Sequence, residues 1–297
     1  MTRDDWFGIA ILLGILAVAI LGGSKNFHPL FTPAPLSPEQ QQAQKQTQIE
    51  QQINQTQIQV TNLQQQLQAQ EDAKSHSPYY GVVNIQWVSH SNSAANEYLS
   101  LSESSSATTT VDITGWTIQS KASGVTVEIP QGTYLIFPDN LNSKDDIIFT
   151  PGDNAYVITG ITPNGYNFKL NKCSGYWTQF QNFTPSFYTS CPRPAQEDLS
   201  SIPKRVENNA CFDYIDSFPT CRVQTDPLPN TFSAECQQFI TQKINYGTCV
   251  NVHKSDSDFY LHQWYIYLGR GTPLWLNERE DIVLLDNNGK VVSELKY

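Results

Sequence analysis

The chain has 297 residues, with 28 acidic and 18 basic side chains and a formal net charge of −10. That balance excludes a nucleic-acid binder, which needs clustered Lys and Arg to displace counterions from phosphates, and here the densest basic pair is Lys204-Arg205. Charged residues make up only 15% of a chain rich in Gln, Asn, Ser and Thr, an uncharged polar surface that suits an exported protein.

Residues 6–23, from Trp6 to Gly23, carry no charge. About 18 to 20 apolar residues in a helix cross a hydrocarbon core of roughly 30 Å. A helix is required there because lipid offers backbone groups no hydrogen-bond partner. Trp6 and Phe7 sit at one end, where aromatic rings favour the interface. A cleaved signal peptide is the rival reading. Its apolar region is shorter, and a small-x-small site follows it; Leu21-Gly22-Gly23 has the wrong first residue. The segment therefore reads as a retained single-pass transmembrane anchor. Arg3 and the terminal amine precede it, and topology follows positive charge, so residues 1–5 are expected in the cytoplasm and the rest outside.

Residues 24–38 form a Pro-rich linker with Pro29, Pro33, Pro35 and Pro38. Ser37 then suits a helix N-cap, with Pro38 at the first helical position. Residues 39–72 are Gln-rich, and no Gly or Pro interrupts them. Ile49, Ile53, Thr56, Val60, Leu63 and Leu67 alternate at spacings of four and three, a heptad seam. An isolated helix cannot bury so narrow a seam, so self-association through a coiled-coil stalk is expected. The plainer alternative is a Gln-rich spacer. A fully helical stalk spans roughly 45 to 50 Å at 1.5 Å per residue.

From Tyr79 the texture turns to β. Val83, Ile85 and Trp87 alternate with Asn84 and Gln86, the period of a half-buried strand. Further strands are expected at 97–101, 111–113, 116–118, 125–129, 134–137, 147–149 and 156–158, with glycines between them. At the C-terminus, 281–285 and 290–293 flank Asp286-Asn287-Asn288-Gly289, a hairpin signal in which Asn and Gly tolerate positive φ. Many short strands with turn-separated spacing imply an antiparallel sandwich or barrel.

Four pieces of this region resemble the lamin-tail domain. They are Glu97-Tyr98-Leu99-Ser100-Leu101, Asp112-Ile113-Thr114-Gly115-Trp116-Thr117-Ile118, Ile129-Pro130-Gln131-Gly132-Thr133-Tyr134-Leu135-Ile136, and the stretch from Asn277 to Val292. The resemblance implies an all-β, immunoglobulin-like antiparallel β-sandwich over 79–297. It also implies an interaction or scaffold module of an envelope or secreted protein, with no shared catalytic residue. The departure is an insert at 163–261.

That insert holds Cys173, Cys191, Cys211, Cys221, Cys236 and Cys249, and none lies elsewhere. An even, clustered set reads as disulfides in an oxidising compartment, and no pair has the C-x-x-C spacing of a zinc site. The pairing is left open. Ser233 is a good N-cap for a helix through Ile240, with Phe232 and Phe239 on one face. The insert is aromatic-rich, with Tyr176, Trp177, Phe180, Phe183, Phe187 and Tyr188. A long insertion on a rigid scaffold is where function is expected.

Chemistry-bearing constellations are few in this sequence. His253, Asp256, Asp258 and His262 are the candidates for a metal or acid–base site, against the plainer reading of a polar loop. Asp145, Asp146, Asp153, Glu278, Glu280 and Asp281 are candidates for a calcium site, against scattered solvated turns. There is no G-x-S-x-G, H-E-x-x-H or phosphate-cradling Gly loop. The expectation is a non-catalytic, membrane-anchored extracytoplasmic scaffold without cofactor or metal. Its expected partners are the membrane, its own copies through the stalk, and an envelope protein or glycan. The alternatives are a hydrolase with its site in the insert, or a mechanical spacer or assembly subunit.

Overall fold

The computed structural model describes residues 37–137 and 141–297. The expected N-terminus 1–5, transmembrane segment 6–23 and most of the linker 24–38 lie outside the described residues. Among the described residues no helix is long and apolar enough to cross a membrane.

Helix α1 runs Pro38–Ser75. Its start is a reciprocal cap: the Gln40 amide donates to Ser37 Oγ at 3.3 Å, and the Ser37 amide donates to Gln40 Oε1 at 3.1 Å. Glu39 in the first turn and Lys74 in the last complement the helix dipole. The seam residue Thr56 donates its hydroxyl back to the Gln52 carbonyl at 2.8 Å, which removes its polarity from the stripe. Ile49, Ile53, Val60, Leu63 and Leu67 are all exposed along α1. The chain divides within α1 into two compact units, between Gln66 and Leu67.

The second unit is built on two sheets. One has five strands in the order β1-β2-β7-β9-β8: Val83–Ser89, Tyr98–Glu103, Asn154–Ile158, Tyr260–Tyr267 and Phe168–Asn171. The other has four, β11-β10-β4-β5: Val291–Lys296, Asp281–Leu285, Thr117–Ser120 and Thr126–Glu128. A short ladder pairs β3, Val111–Asp112, with β6, Ile148–Phe149. The two sheets share one apolar core. Val83, Leu99, Leu101, Ala155, Val157, Trp264 and Ile266 come from the first, and Ile118, Ile282, Leu284 and Val292 from the second. Strand alternation makes this sorting. In β9, Trp264 and Ile266 face the sandwich, while Tyr265 and Tyr267 join a separate cluster with Phe168 and Phe183. Gly132 is required beneath Trp264, because a Cβ there would stand 2.9 Å from Cζ3 of the indole.

Four sequence expectations need correction. The sandwich is not wholly antiparallel: β7 and β9 pair in parallel, Asn154 opposite Gln263 through Ile158 opposite Tyr267. Parallel neighbours need a crossover, and the whole insert supplies it. The insert itself is shorter than 163–261, since β8 and the start of β9 are sheet strands. All four residues of β8 are buried, so it lacks the alternation that marks a half-buried strand. Residues 134–137 form no strand. Their side chains diverge, Tyr134 to the sandwich core, Leu135 and Phe137 to the insert core and Ile136 to the tyrosine cluster. In the final hairpin only Gly289 takes a positive φ, 73°, and Asn288 does not. Asp286 Oδ1 shapes that turn instead, accepting the amides of Asn288 at 2.8 Å and Lys290 at 3.0 Å.

Candidate functional site

The insert leaves the sheet at Lys172 and Cys173, directly after β8. It winds through a 3-10 turn, Ser174–Gln179, then α2 (Asn209–Ser217), α3 (Ala234–Lys243) and α4 (Tyr246–His253), and re-enters at β9. Ser233 caps α3 by accepting the Cys236 amide, as its sequence implies, and Asn245 caps α4 by accepting the Thr248 amide at 2.9 Å. Three disulfides join Cys173 to Cys249, Cys191 to Cys221 and Cys211 to Cys236. No cysteine is free among the described residues. These bridges sit within an insert core that also holds Tyr176, Ile202, Ile215, Phe232, Phe239, Ile240, Ile244 and Val250. The first bridge ties the entry of the insert to its last helix. The other two interlock in sequence inside that loop. Gly175 lies against the second bridge so closely that any Cβ would overlap Cys221 Sγ.

The candidate residues His253, Asp256, Asp258 and His262 do not form one site. His253 places Nδ1 2.8 Å from Asp256 and Nε2 2.9 Å from Glu197. Lys172 completes the chain, 3.0 Å from Asp256 and also bonded to Asp258. Burial opposes protonation of His253, but the two carboxylates outweigh it and hold its pKa above the ordinary value. Its hydrogen bond to His253, and then that to Lys172, hold Asp256 below the usual carboxylate range. With carboxylates on both ring nitrogens, His253 has neither left to bind a metal or take a substrate proton. His262 lies elsewhere, its Nδ1 2.8 Å from the buried Asp153. Asp153 also receives Lys169 at 2.7 Å and both the amide and the hydroxyl of Thr150.

The acidic residues proposed for calcium are likewise spread among separate partners. Asp146 accepts from Gln131, Asp145 from Ser143, and Asp281 from Lys296. Glu280 is buried and accepts from Ser120, Leu276 and its neighbour Asp281. Among the described residues, no group of three or more His, Cys, Asp or Glu is arranged to hold a metal ion. Sequence reasoning missed Glu197 and Lys172 as members of the His253 cluster. Glu197 is 56 positions from His253, and nothing local links them. It also missed Glu97, a fully buried carboxylate that accepts Thr159 Oγ1 at 2.7 Å and the amides of Leu274 and Trp275 at 2.6 and 3.2 Å.

Of three concavities on the insert, two lie beside the start of α4. One, of about 330 Å³, is lined by Tyr176, Pro194, Phe239, Ile244 and Val252, with Glu197, Asp198 and Lys243. There burial, and then the Glu197 charge, push the Tyr176 hydroxyl up to about 12. The other, of about 530 Å³, is aromatic and amide-lined.

Fold and site together define a two-sheet β-sandwich that carries a disulfide-stapled helical insert. No protein-family model and no curated protein matches the chain.

Proposed function

We propose that this protein is a non-catalytic, membrane-anchored binding and scaffold protein of the cell envelope, its C-terminal domain extracytoplasmic. In this reading the sandwich is immunoglobulin-like and of lamin-tail type, the helix α1 is a self-associating stalk, and the insert is the contact surface. The observation that carries the reading is the insert core itself. Three disulfides close it, and such bridges persist only where the surroundings are oxidising. The lamin-tail assignment is supported by where three of the four resembling segments fall, in β2, in β4 with its preceding turn, and in the hairpin β10-β11; the fourth, 129–136, forms no strand. In that preceding turn Gly115 has φ 77° and packs on Asn287 of the final hairpin. The stalk is supported by the exposed stripe Ile49, Ile53, Val60, Leu63 and Leu67, which a second copy would cover.

Two measurements test this. Cells expressing the full chain are fractionated and treated with protease from outside; the protein is expected in the membrane fraction, with the insert degraded only when reductant is present. Recovery in the soluble cytosolic fraction would remove the anchored reading. Light scattering of the full chain, with Ile53→Asn and Val60→Asn as the comparison, is expected to show an oligomer that the double variant breaks. A monomer in both would remove the stalk's role.

A further inference from the structure

The aromatic groove on the insert has an unusual lining for a surface of this charge. It is lined by Trp177, Phe180 and the edge of the buried Tyr246, with Gln242 and Asn251 offering carboxamides. No charged residue lines it, although the chain carries a net charge of −10. The floor is rigid. The rings of Trp177 and Tyr246 lie 4.9 Å apart, and Trp177 stands edge-on to Phe168 of β8 at 5.0 Å, so the groove rests on the sheet. Phe180 makes none of these ring contacts and is 67% exposed, a large apolar surface left in water.

We propose that this groove binds a neutral oligosaccharide, a proposal that rests on the binding reading above and names its ligand class. A pyranose ring has a flat C–H face that packs on an aromatic platform, and aromatic side chains provide that area at low entropic cost. Its hydroxyls both donate and accept, which matches a carboxamide with one acceptor oxygen and two N–H donors. A charged ligand would find no counter-charge in the groove. A lipid chain or apolar peptide would strip water from the carboxamides without replacing it. A proline-rich segment also favours aromatic grooves, and the decapeptide probe distinguishes it from a sugar.

The test uses the full chain in lipid nanodiscs. The probes are hexasaccharides of β-1,4-linked glucose, N-acetylglucosamine and mannose, an anionic galacturonate hexamer, and a proline-rich decapeptide. Binding is read by tryptophan fluorescence and by saturation transfer to the sugar protons. At least one neutral hexamer is expected to bind, with affinity falling about tenfold in Phe180→Ala and again in Asn251→Ala. Phe180 is largely exposed, so its variant should keep the wild-type unfolding midpoint; Gln242→Ala, at another exposed lining position, gives a second, independent check on the same groove. The proposal is overturned if no neutral hexamer binds, if binding ignores all three substitutions, or if only the galacturonate or the decapeptide binds. Failure here, with the protein still in the membrane fraction and its insert still protease-resistant without reductant, removes the glycan and leaves the anchored reading standing.

Discussion

Replacing Cys173 and Cys249 together by alanine removes the bridge that spans 76 positions and ties the insert's entry to α4. On the chain-entropy account, closing a loop of that length restricts the unfolded chain by about 4.5 kcal/mol. The other two bridges, of 30 and 25 positions, lie inside the same loop and already restrict it. The expected loss is therefore about 3 to 4 kcal/mol, at the upper end of what single bridges contribute. It should fall on the insert first, because the insert has its own core, separate from that of the sandwich. Urea unfolding read by hydrogen exchange follows the two cores separately, one on peptides from the insert and the other on peptides from the sandwich strands. In the double variant the insert transition should move to lower urea and separate from the sandwich one. A loss below about 1 kcal/mol, or coincident transitions, would refute the reasoning that this bridge restrains an insert with its own stability.

Three further outcomes follow from buried charge. Glu97→Ala strands the Thr159 hydroxyl and the amides of Leu274 and Trp275, so thermal unfolding should show a loss of about 3 to 5 kcal/mol; a loss near zero would mean the carboxylate does not pin that loop. Glu103 is only 4% exposed and its carboxylate makes no hydrogen bond, while burial and then the nearby Asp153 hold its pKa above the usual value. A raised carboxyl loses stability as pH climbs from its unfolded value through its folded one, so Glu103→Gln should stabilise by about 1 kcal/mol at alkaline pH and by less in acid. An equal effect at both pH values would count against this. His253 has the same sign of linkage in a higher pH window: its raised folded pKa gives stability that is complete below about 6.5 and is lost as pH rises through the folded value. The gap in melting temperature between wild type and His253→Gln should close along that rise, and a pH-independent gap would contradict it.

The parts legible in the sequence were those fixed by local chemistry. Ser37 with Gln40 three residues on forms a reciprocal cap, and Ser233 caps α3, because both interactions close within a single turn. The alternation of Val83 and Ile85, and of Leu99 and Leu101, sorts side chains into the sandwich core as its period demands. What stayed hidden depends on contacts far apart in the chain. β8 lacks alternation because the insert covers its outer face, and the parallel partner of β7 arrives only after the crossover. The disulfide partners, and the meeting of Glu197 with His253, are properties of the insert's packing that no spacing rule encodes. The aromatic richness of the insert was visible, but the groove was not. Trp177 and Tyr246 come from opposite ends of the insert.

The most direct test of the central claim, an insert folded in an oxidising compartment, is peptide mapping of the protein purified from its native envelope under non-reducing, thiol-blocking conditions. The account predicts no blocked cysteine and three cross-linked peptide pairs, 173 with 249, 191 with 221 and 211 with 236. Six blocked thiols on a folded protein would contradict it.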